Sequence, residues 1–201
     1  MKVLPLTFFA RDTSTVAHEL LGKVLVRELE GFQLRGMIVE AEAYIGQNDT
    51  ACHARRGRTK RNAPMFGPPG QTYLYYIYGM HWMLNLVTER EGFPAAVLLR
   101  ALEPLEGQDK MRTLRTSKRG KVLQDRELTN GPARLTQALA LDKTFNAFDL
   151  TRGEGLWLEE GFPFPAEAIQ TGPRIGIGYA DLADQITPWR FWLRANPFVS
   201  R

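Results

Sequence analysis

Hydrophobic and polar residues alternate along several short stretches of the chain, and this two-residue period predicts β-strands. The segments with strand character are residues 24–26, 34–43, 72–77, 83–87, 96–101, 156–158, 175–177 and 191–193. Most are bounded by glycine, proline or asparagine, which are the residues that favour turns. The pattern therefore predicts many short strands, most of them in the first half of the chain.

Helical signals are fewer. The segment 14–21 has an apolar face and is followed by Gly22, a common helix stop, and residues 108–114 also have helical character. Asn130-Gly131-Pro132 is a helix-start signal. Strands come first in the chain, and the helices lie among the later strands. This order predicts an α+β fold on a curved antiparallel or mixed sheet with surrounding helices. With no repeat or linker, residues 1–201 are expected to form a single domain.

Composition narrows the class of protein. Of the 201 residues, 44% are hydrophobic and 24% charged, which is typical of a globular protein with a core of its own. The single cysteine, Cys52, excludes an internal disulfide and any zinc site built from paired cysteines. No apolar run is long enough to span a bilayer. We expect a protein of a reducing intracellular compartment, either the cytoplasm or the nucleus or nucleoid.

Positive charge is concentrated in two places, although the net charge is only +4. The first cluster, in a long irregular loop at 46–70, comprises Arg55, Arg56, Arg58, Lys60 and Arg61. The second comprises Lys110, Arg112, Arg115, Lys118, Arg119 and Lys121. Such clusters suit phosphate contacts along a nucleic acid, but a solvated protein surface has the same appearance. Arg174 and Lys143 are further candidates for phosphate contacts.

The strand 34–43 leads into a candidate acid–base group. Alternation places Glu40, Glu42 and Tyr44 on one face of the strand. Two glutamates on one face are common on a solvent-exposed sheet, so the pattern alone favours a structural interpretation.

An unusual aromatic segment follows. Residues 73–85 contain four tyrosines, a histidine and a tryptophan. Packing in the core accounts for some of these aromatic residues, and the others could stack on a nucleobase that is extruded from a nucleic-acid double helix. A turn at Tyr78-Gly79 would make a protruding β-hairpin, with Tyr75 facing a pocket and Tyr78 at the tip.

At these motifs the chain becomes recognisable. The runs RGMIVEAEAYIGQNDTACHA, RNAPMFGPPGQTYLYYIYGMHWMLN, VLLRALEPLEG, NGPARLTQALAL and PRIGIG resemble the 3-methyladenine (alkyladenine) DNA glycosylase family. The resemblance covers nearly the whole chain, in order. It implies an enzyme of base-excision repair that flips alkylated or deaminated purines from duplex DNA and hydrolyses the N-glycosidic bond.

The resemblance also implies roles for individual residues. Glu42 matches the general base that activates the attacking water, while Arg100 and the main-chain carbonyl of Ile175 match the groups that hold this water. Physical chemistry agrees, because a carboxylate stabilises an oxocarbenium-like transition state and accepts a proton from water. Glu40 is expected to be structural or to support Glu42.

Four further residues match the pocket for the flipped base. Tyr44, His53 and Tyr75 match its lining, and Asn85 matches the residue that disfavours guanine through its exocyclic amine. Residues at the DNA surface are expected to be Tyr78, which matches the side chain inserted into the duplex, together with Met80, Arg58 and Arg61. An inserted side chain recovers part of the stacking that is lost on flipping.

The sequence thus predicts a monofunctional purine DNA glycosylase without metal or organic cofactor. Its expected partner is damaged double-stranded DNA; no membrane and no obligatory protein partner are expected, and the chain is expected to be a monomer. A bifunctional enzyme would need a nucleophilic amine, and the matched motifs supply no such lysine. Two alternatives remain: a non-catalytic nucleic-acid-binding module, and a sugar hydrolase that uses the Glu40–Glu42 pair.

Overall fold

An antiparallel sheet forms the centre of the structure, a computed structural model that describes residues 2–115 and 122–200. Within these ranges its strands are β1 (Val24–Leu29), β2 (Phe32–Ile45), β3 (Thr72–Ile77), β4 (His81–Val87), β5 (Ala95–Glu106), β6 (Leu156–Glu159), β7 (Ile169–Gly172) and β8 (Arg190–Leu193). Six of them lie in the order β3-β4-β5-β2-β1-β6, and β8 pairs with both β2 and β7.

Short helices surround the sheet. They are α1 (Leu6–Phe9), α2 (Thr13–Glu19), α3 (Gln108–Arg115), α4 (Asp125–Leu128), α5 (Pro132–Ala138) and α6 (Leu182–Ile186). Gly22, at φ +88°, turns the chain from α2 into β1, and a Cβ there would lie 2.1 Å from the Phe162 carbonyl oxygen. Only glycine fits this turn. Among the described residues, none of the helices is long and apolar enough to cross a membrane.

Strand β2 is the central element of the fold. It pairs with β5 on one side, and on the other side first with β1 and then, at Glu40–Glu42, with β8. Every residue from 36 to 43 is buried, so the strand is covered on both faces. The expected exposed face is therefore absent, and Glu40 and Glu42 are both 0% exposed. A break in the register of β2 with β5 occurs on both sides of Glu40.

The aromatic segment forms the predicted hairpin. Strands β3 and β4 pair from Thr72 to Ile77, and the turn at residues 78–80 joins them. Tyr78 and Gly79 both have left-handed backbone conformations, with φ of +53° and +66°. The Met80 N–H donates to the Ile77 carbonyl at 3.2 Å and closes the turn.

The predicted α+β class with an antiparallel sheet is confirmed, but one predicted strand is wrong. Residues 175–177 form a bend instead of a strand, and the neighbouring strand is β7, which ends at Gly172. Ile175 is 41% exposed, and Gly176 has a φ of +79° that strands do not accommodate. The apolar residues of this segment belong to a loop that approaches β2.

Candidate active site

A cleft of about 700 Å³ lies between the hairpin, the loop after β2 and the bend at residues 175–177. Its volume is in the range of ordinary ligand pockets. The predicted site residues that line it are Tyr44, His53, Arg61, Tyr75, Tyr78, Arg100 and Ile175. Segments that are distant in sequence thus meet at one cavity.

Glu42 is held from three directions. Its Oε1 accepts a hydrogen bond from the Ile175 N–H at 2.7 Å and lies 3.2 Å from Arg100 Nη1. Its Oε2 accepts a hydrogen bond from the Tyr44 hydroxyl at 2.9 Å. The predicted contribution of Ile175 was its carbonyl group, whereas the contact in the structure is made by its N–H. This carboxylate is fixed in orientation before any ligand arrives.

Burial raises the pKa of Glu42 above its ordinary value of 4.5. The positive charge of Arg100 and the hydrogen bonds from Ile175 and Tyr44 oppose this rise but do not cancel it. A raised pKa makes the ionised carboxylate a stronger base. Glu42 therefore combines fixed geometry with the basicity that proton abstraction from water requires.

Arg100 bridges the two glutamates of β2. Its Nε donates to Glu40 Oε1 at 3.0 Å, while Nη1 faces Glu42. Glu40 also accepts hydrogen bonds from Arg190 Nη1 at 3.2 Å and from the Ser200 N–H at 2.7 Å. Glu40 consequently faces a set of protein donors, which agrees with its predicted supporting position.

A buried ion pair connects the bend to the loop after β2. Arg174 makes a bidentate contact with Asp49, at 2.6 and 2.9 Å, and also donates to the Ala43 carbonyl at 2.9 Å. Both side chains of the pair are 0% exposed. The suggestion that Arg174 contacts phosphate is wrong, because its guanidinium lies in the interior. Its position fixes the adjacent Ile175 N–H against Glu42.

A recess of about 40 Å³ opens beside Tyr44, His53 and Tyr75. The imidazole of His53 packs against the Tyr75 ring with centroids 4.5 Å apart. Asn85 borders the same recess, and its amide nitrogen donates to the carbonyls of Tyr73 and Met83. These two bonds fix the orientation of the Asn85 side chain. The predicted pocket residues therefore share one cavity wall.

His53 is neutral at physiological pH. Its Nδ1 lies 3.0 Å from the Tyr73 hydroxyl. The residue keeps solvent contact along the cleft, yet partial desolvation of the imidazole and the charge of Arg61 lower its pKa to about 4. A neutral ring can pack on a base without adding a second positive charge beside Arg61.

Of the predicted DNA-contacting residues, Tyr78 and Arg61 line the cleft, whereas Met80 and Arg58 lie outside its lining. Tyr78 and Met80, at the hairpin tip, are 81% and 63% exposed. Arg61 places its guanidinium 5.4 Å from the centre of the Tyr75 ring, whereas Arg58 lies 5.9 Å from the Phe66 ring. Of the second basic cluster, Lys118, Arg119 and Lys121 lie outside the described residues.

Three residues of the site were not anticipated from the sequence. Asp49 anchors Arg174, and Asn62 donates from its side-chain nitrogen to the His53 carbonyl at 2.9 Å. Tyr179 lines the cleft and donates to the Ala51 carbonyl at 2.9 Å. An asparagine or aspartate in a glycine-rich loop is a turn signal. This signal is the only indication in the sequence that Asp49 and Asn62 have a structural role. The described residues include no cluster of three His, Cys, Asp or Glu side chains suited to a metal ion.

Glu42 is fully buried and lies directly behind Tyr44, Arg100 and Ile175, which line the floor of the cleft. A fixed, basic carboxylate in this position, beside an aromatic cleft with an arginine-rich rim, is suited to hydrolysis within a polyanion. The comparisons with known proteins agree with this class. The profile of the methylpurine-DNA glycosylase (MPG) family matches residues 7–197. The human DNA-3-methyladenine glycosylase is 48% identical over 204 residues, covering 98% of this chain and 67% of the human protein.

A second relative extends the match to full length. A protein of Carboxydothermus hydrogenoformans, provisionally named a 3-methyladenine DNA glycosylase, is 50% identical over 199 residues and covers 99% of both chains. The chain belongs to the methylpurine-DNA glycosylase family. It is thus a DNA glycosylase, a hydrolase of N-glycosyl bonds in DNA repair.

Proposed function

We propose that this protein excises alkylated or deaminated purines from duplex DNA by flipping the damaged base into the cleft. A water activated by Glu42 attacks C1′ of the deoxyribose, and the N-glycosidic bond breaks as the base leaves with the bonding electrons. Glu42 accepts the proton of the water. An alkylated base carries a positive charge and leaves as a neutral molecule, whereas a neutral deaminated base takes up a proton from solvent water as it leaves. The products are the free base and an abasic site.

The contacts of Glu42 are the observation that carries this proposal. A carboxylate aligned by an N–H, a hydroxyl and a guanidinium at the floor of a cleft is suited to stabilise an oxocarbenium-like transition state. A pure binding module would gain nothing from a negative charge in a groove meant for phosphates. The N–H of Ile175 orients Glu42, and we expect the main-chain carbonyl of the same residue to help hold the water.

The remaining roles follow from position. Tyr44, His53 and Tyr75 surround the recess into which a purine would turn, and aromatic rings stack on nucleobases. Asn85 narrows that recess, which would exclude the exocyclic amine of guanine. Tyr78, exposed at the hairpin tip, would fill the gap left in the duplex.

Monofunctional chemistry is supported by the lining of the cleft. A bifunctional glycosylase forms a Schiff base through an amine, and among the described residues that line the cleft there are arginines but no lysine. Borohydride should therefore trap no covalent adduct between the protein and lesion DNA. A trapped adduct would contradict the monofunctional assignment.

The first test is excision from a labelled duplex that carries hypoxanthine, ethenoadenine or 7-methylguanine, beside an undamaged duplex. Wild type should give strand breaks only at lesions and only after alkali, whereas Glu42→Gln should lose about 100- to 10,000-fold in rate, since it removes the general base. Glu106→Gln, at an exposed glutamate on the same sheet, is the matched control. Activity retained in Glu42→Gln would contradict the base assignment. Lesion binding without excision by wild type would favour the binding module.

The pH dependence gives an independent test. Glu42 must be ionised to act as a base, so the rate falls as the pH drops through its pKa. Because burial raises that pKa, the acid limb of kcat/KM, which reports the pKa values of the free enzyme, should lie above pH 4.5. His53, with a pKa of about 4, should not contribute a step between pH 5 and 8. An acid limb below the ordinary glutamate range would contradict a raised pKa in the free enzyme's site.

A further inference from the structure

Glu40 has a buried environment that the hydrolytic step does not itself explain. The residue is 0% exposed and lies on β2, two positions before Glu42. Its Oε1 accepts from Arg100 Nε and Arg190 Nη1, while its Oε2 accepts from the Ser200 N–H. A buried carboxylate is costly unless it is paired, so this arrangement is held by specific partners.

The contacts divide the guanidinium of Arg100 between two carboxylates. The Nε edge is turned to Glu40 at 3.0 Å, and Nη1 lies 3.2 Å from Glu42 Oε1. The remaining nitrogen, Nη2, lies 3.4 Å from the Ser200 hydroxyl. Because the guanidinium is planar, the bond at Nε determines the direction in which Nη1 points. Without Glu40, the whole group could rotate toward Glu42.

We propose that Glu40 is a positioning residue for the excision reaction: it fixes the orientation of Arg100 and offsets part of the arginine charge that acts on Glu42. This inference rests on the proposed role of Glu42 as the base. Arg100 must stand close enough to hold a water and the carboxylate. If Arg100 paired with Glu42 alone, its full positive charge would lower the pKa of Glu42 and weaken Glu42 as a base. Glu40 provides a second acceptor that prevents such a pair.

Other groups also face Glu42, and they must be considered for any change with pH. They come from β2, β3, β5, β8 and the segment that leads into the bend at residues 175–177. The charged or titratable members are Glu40, Tyr44, Tyr75, Arg100, Arg174 and Arg190, the last of which lies opposite Glu42 in the strand pairing and donates to Glu40. Arg174 is neutralised by Asp49, and the hydroxyls remain uncharged because burial raises the pKa values of Tyr44 and Tyr75. Glu40 is therefore the group whose removal changes the net charge around Glu42 with the smallest change in shape.

The test compares Glu40→Gln with wild type in single-turnover excision of a hypoxanthine duplex across pH 4–9. We expect the plateau rate to fall about 10-fold or more, because the base is weaker and Arg100 is misplaced. The acid limb should move to lower pH by about 1 to 2 units, the effect of removing a like charge about 7 Å away, two residues along a strand, at an effective dielectric constant of about 20 to 30. Affinity for lesion DNA should stay within about twofold.

The matched control is Glu159→Gln. Glu159 is another buried glutamate of the sheet, and its carboxylate lies 2.6 Å from Arg35 Nη2, away from the cleft. It should lower the melting temperature without moving the acid limb. An unchanged acid limb and plateau rate in Glu40→Gln would overturn the proposal, whatever its melting temperature.

A second variant covers the case in which Glu40→Gln does not fold. Glu40→Asp keeps the charge but withdraws it from Arg100, so its acid limb should stay in place while the plateau rate falls. A wild-type plateau in Glu40→Asp would overturn the positioning role. Failure of the base assignment is distinguishable, because it would appear as activity in Glu42→Gln. An inactive Glu42→Gln beside a wild-type Glu40→Gln would overturn only the inference on Glu40.

Discussion

The floor of the cleft and the tip of the hairpin are built in opposite ways. At the floor, Glu42 and Arg100 are buried and make their contacts within the protein. At the tip, Tyr78 is 81% exposed and holds a left-handed backbone conformation that costs a non-glycine residue about 1 kcal/mol. The floor is thus organised for chemistry without ligand, whereas the tip has features that stability does not explain.

This difference indicates where binding energy is used. Groups that are already oriented lose little entropy when the transition state forms, which is the advantage of preorganisation. Under the proposed function, the exposed ring of Tyr78 gains its contacts only when DNA is bound. Substitutions at the floor should therefore lower stability and rate together, whereas those at the tip should weaken lesion binding without lowering stability.

The largest effect is expected at the ion pair that supports the floor. Arg174→Gln leaves Asp49 buried without its partner and should lower the free energy of unfolding by about 3–5 kcal/mol. Urea denaturation measures this change. Arg152→Gln is the control, because Arg152 pairs with Asp149 at the surface with its side chain 72% exposed. Its effect should stay below about 1 kcal/mol. Equal effects of the two variants would contradict a supporting role for the buried pair.

The elements of the fold could largely be predicted from local signals. Alternation located the hairpin at residues 72–87, and Pro132 marked the start of α5, because both signals act within a few residues. The strand predicted at 175–177 failed for a non-local reason. Its apolar residues resemble a strand, but Arg174 is drawn inward by Asp49, which lies 125 residues earlier in the chain.

The residues of the site likewise divide into those that the sequence could identify and those whose positions depend on contacts distant in sequence. Resemblance to a family identified Glu42 and Arg100 as candidates, and the structure places them 3.2 Å apart. Alternation could not predict that both faces of β2 are buried, because α2 packs on the strand while Ile175 and Ser200, far away in sequence, donate to its two glutamates. The contact between Glu40 and Ser200 spans 160 residues. No local pattern carries information on such a pair.

A smaller effect is expected at the tip. A substitution there should weaken the binding of lesion DNA but should not lower the free energy of unfolding. Tyr78→Gly relieves the left-handed strain, so the free energy of unfolding should equal that of wild type or exceed it by up to about 1 kcal/mol. Affinity for lesion DNA should fall about 10- to 100-fold, since a stacked aromatic side chain contributes about 1–3 kcal/mol. Tyr78→Phe keeps the ring and serves as the control. Wild-type lesion affinity in Tyr78→Gly would remove the inserted-residue role.

The smallest effect is expected at the basic rim. Arg58 is exposed and lies above the Phe66 ring, so Arg58→Gln should leave the free energy of unfolding within about 0.5 kcal/mol of wild type. If Arg58 contacts a phosphate, the slope of log affinity against log salt concentration should become shallower by about 0.9. The loss should be equal for lesion and undamaged duplexes, because a phosphate contact does not read the base. Arg152→Gln removes an exposed arginine that lies outside both basic clusters and pairs with Asp149, so it should leave the slope unchanged. A selective loss for lesion DNA would instead place Arg58 among the residues that recognise the flipped base, and the rim would then resemble the floor.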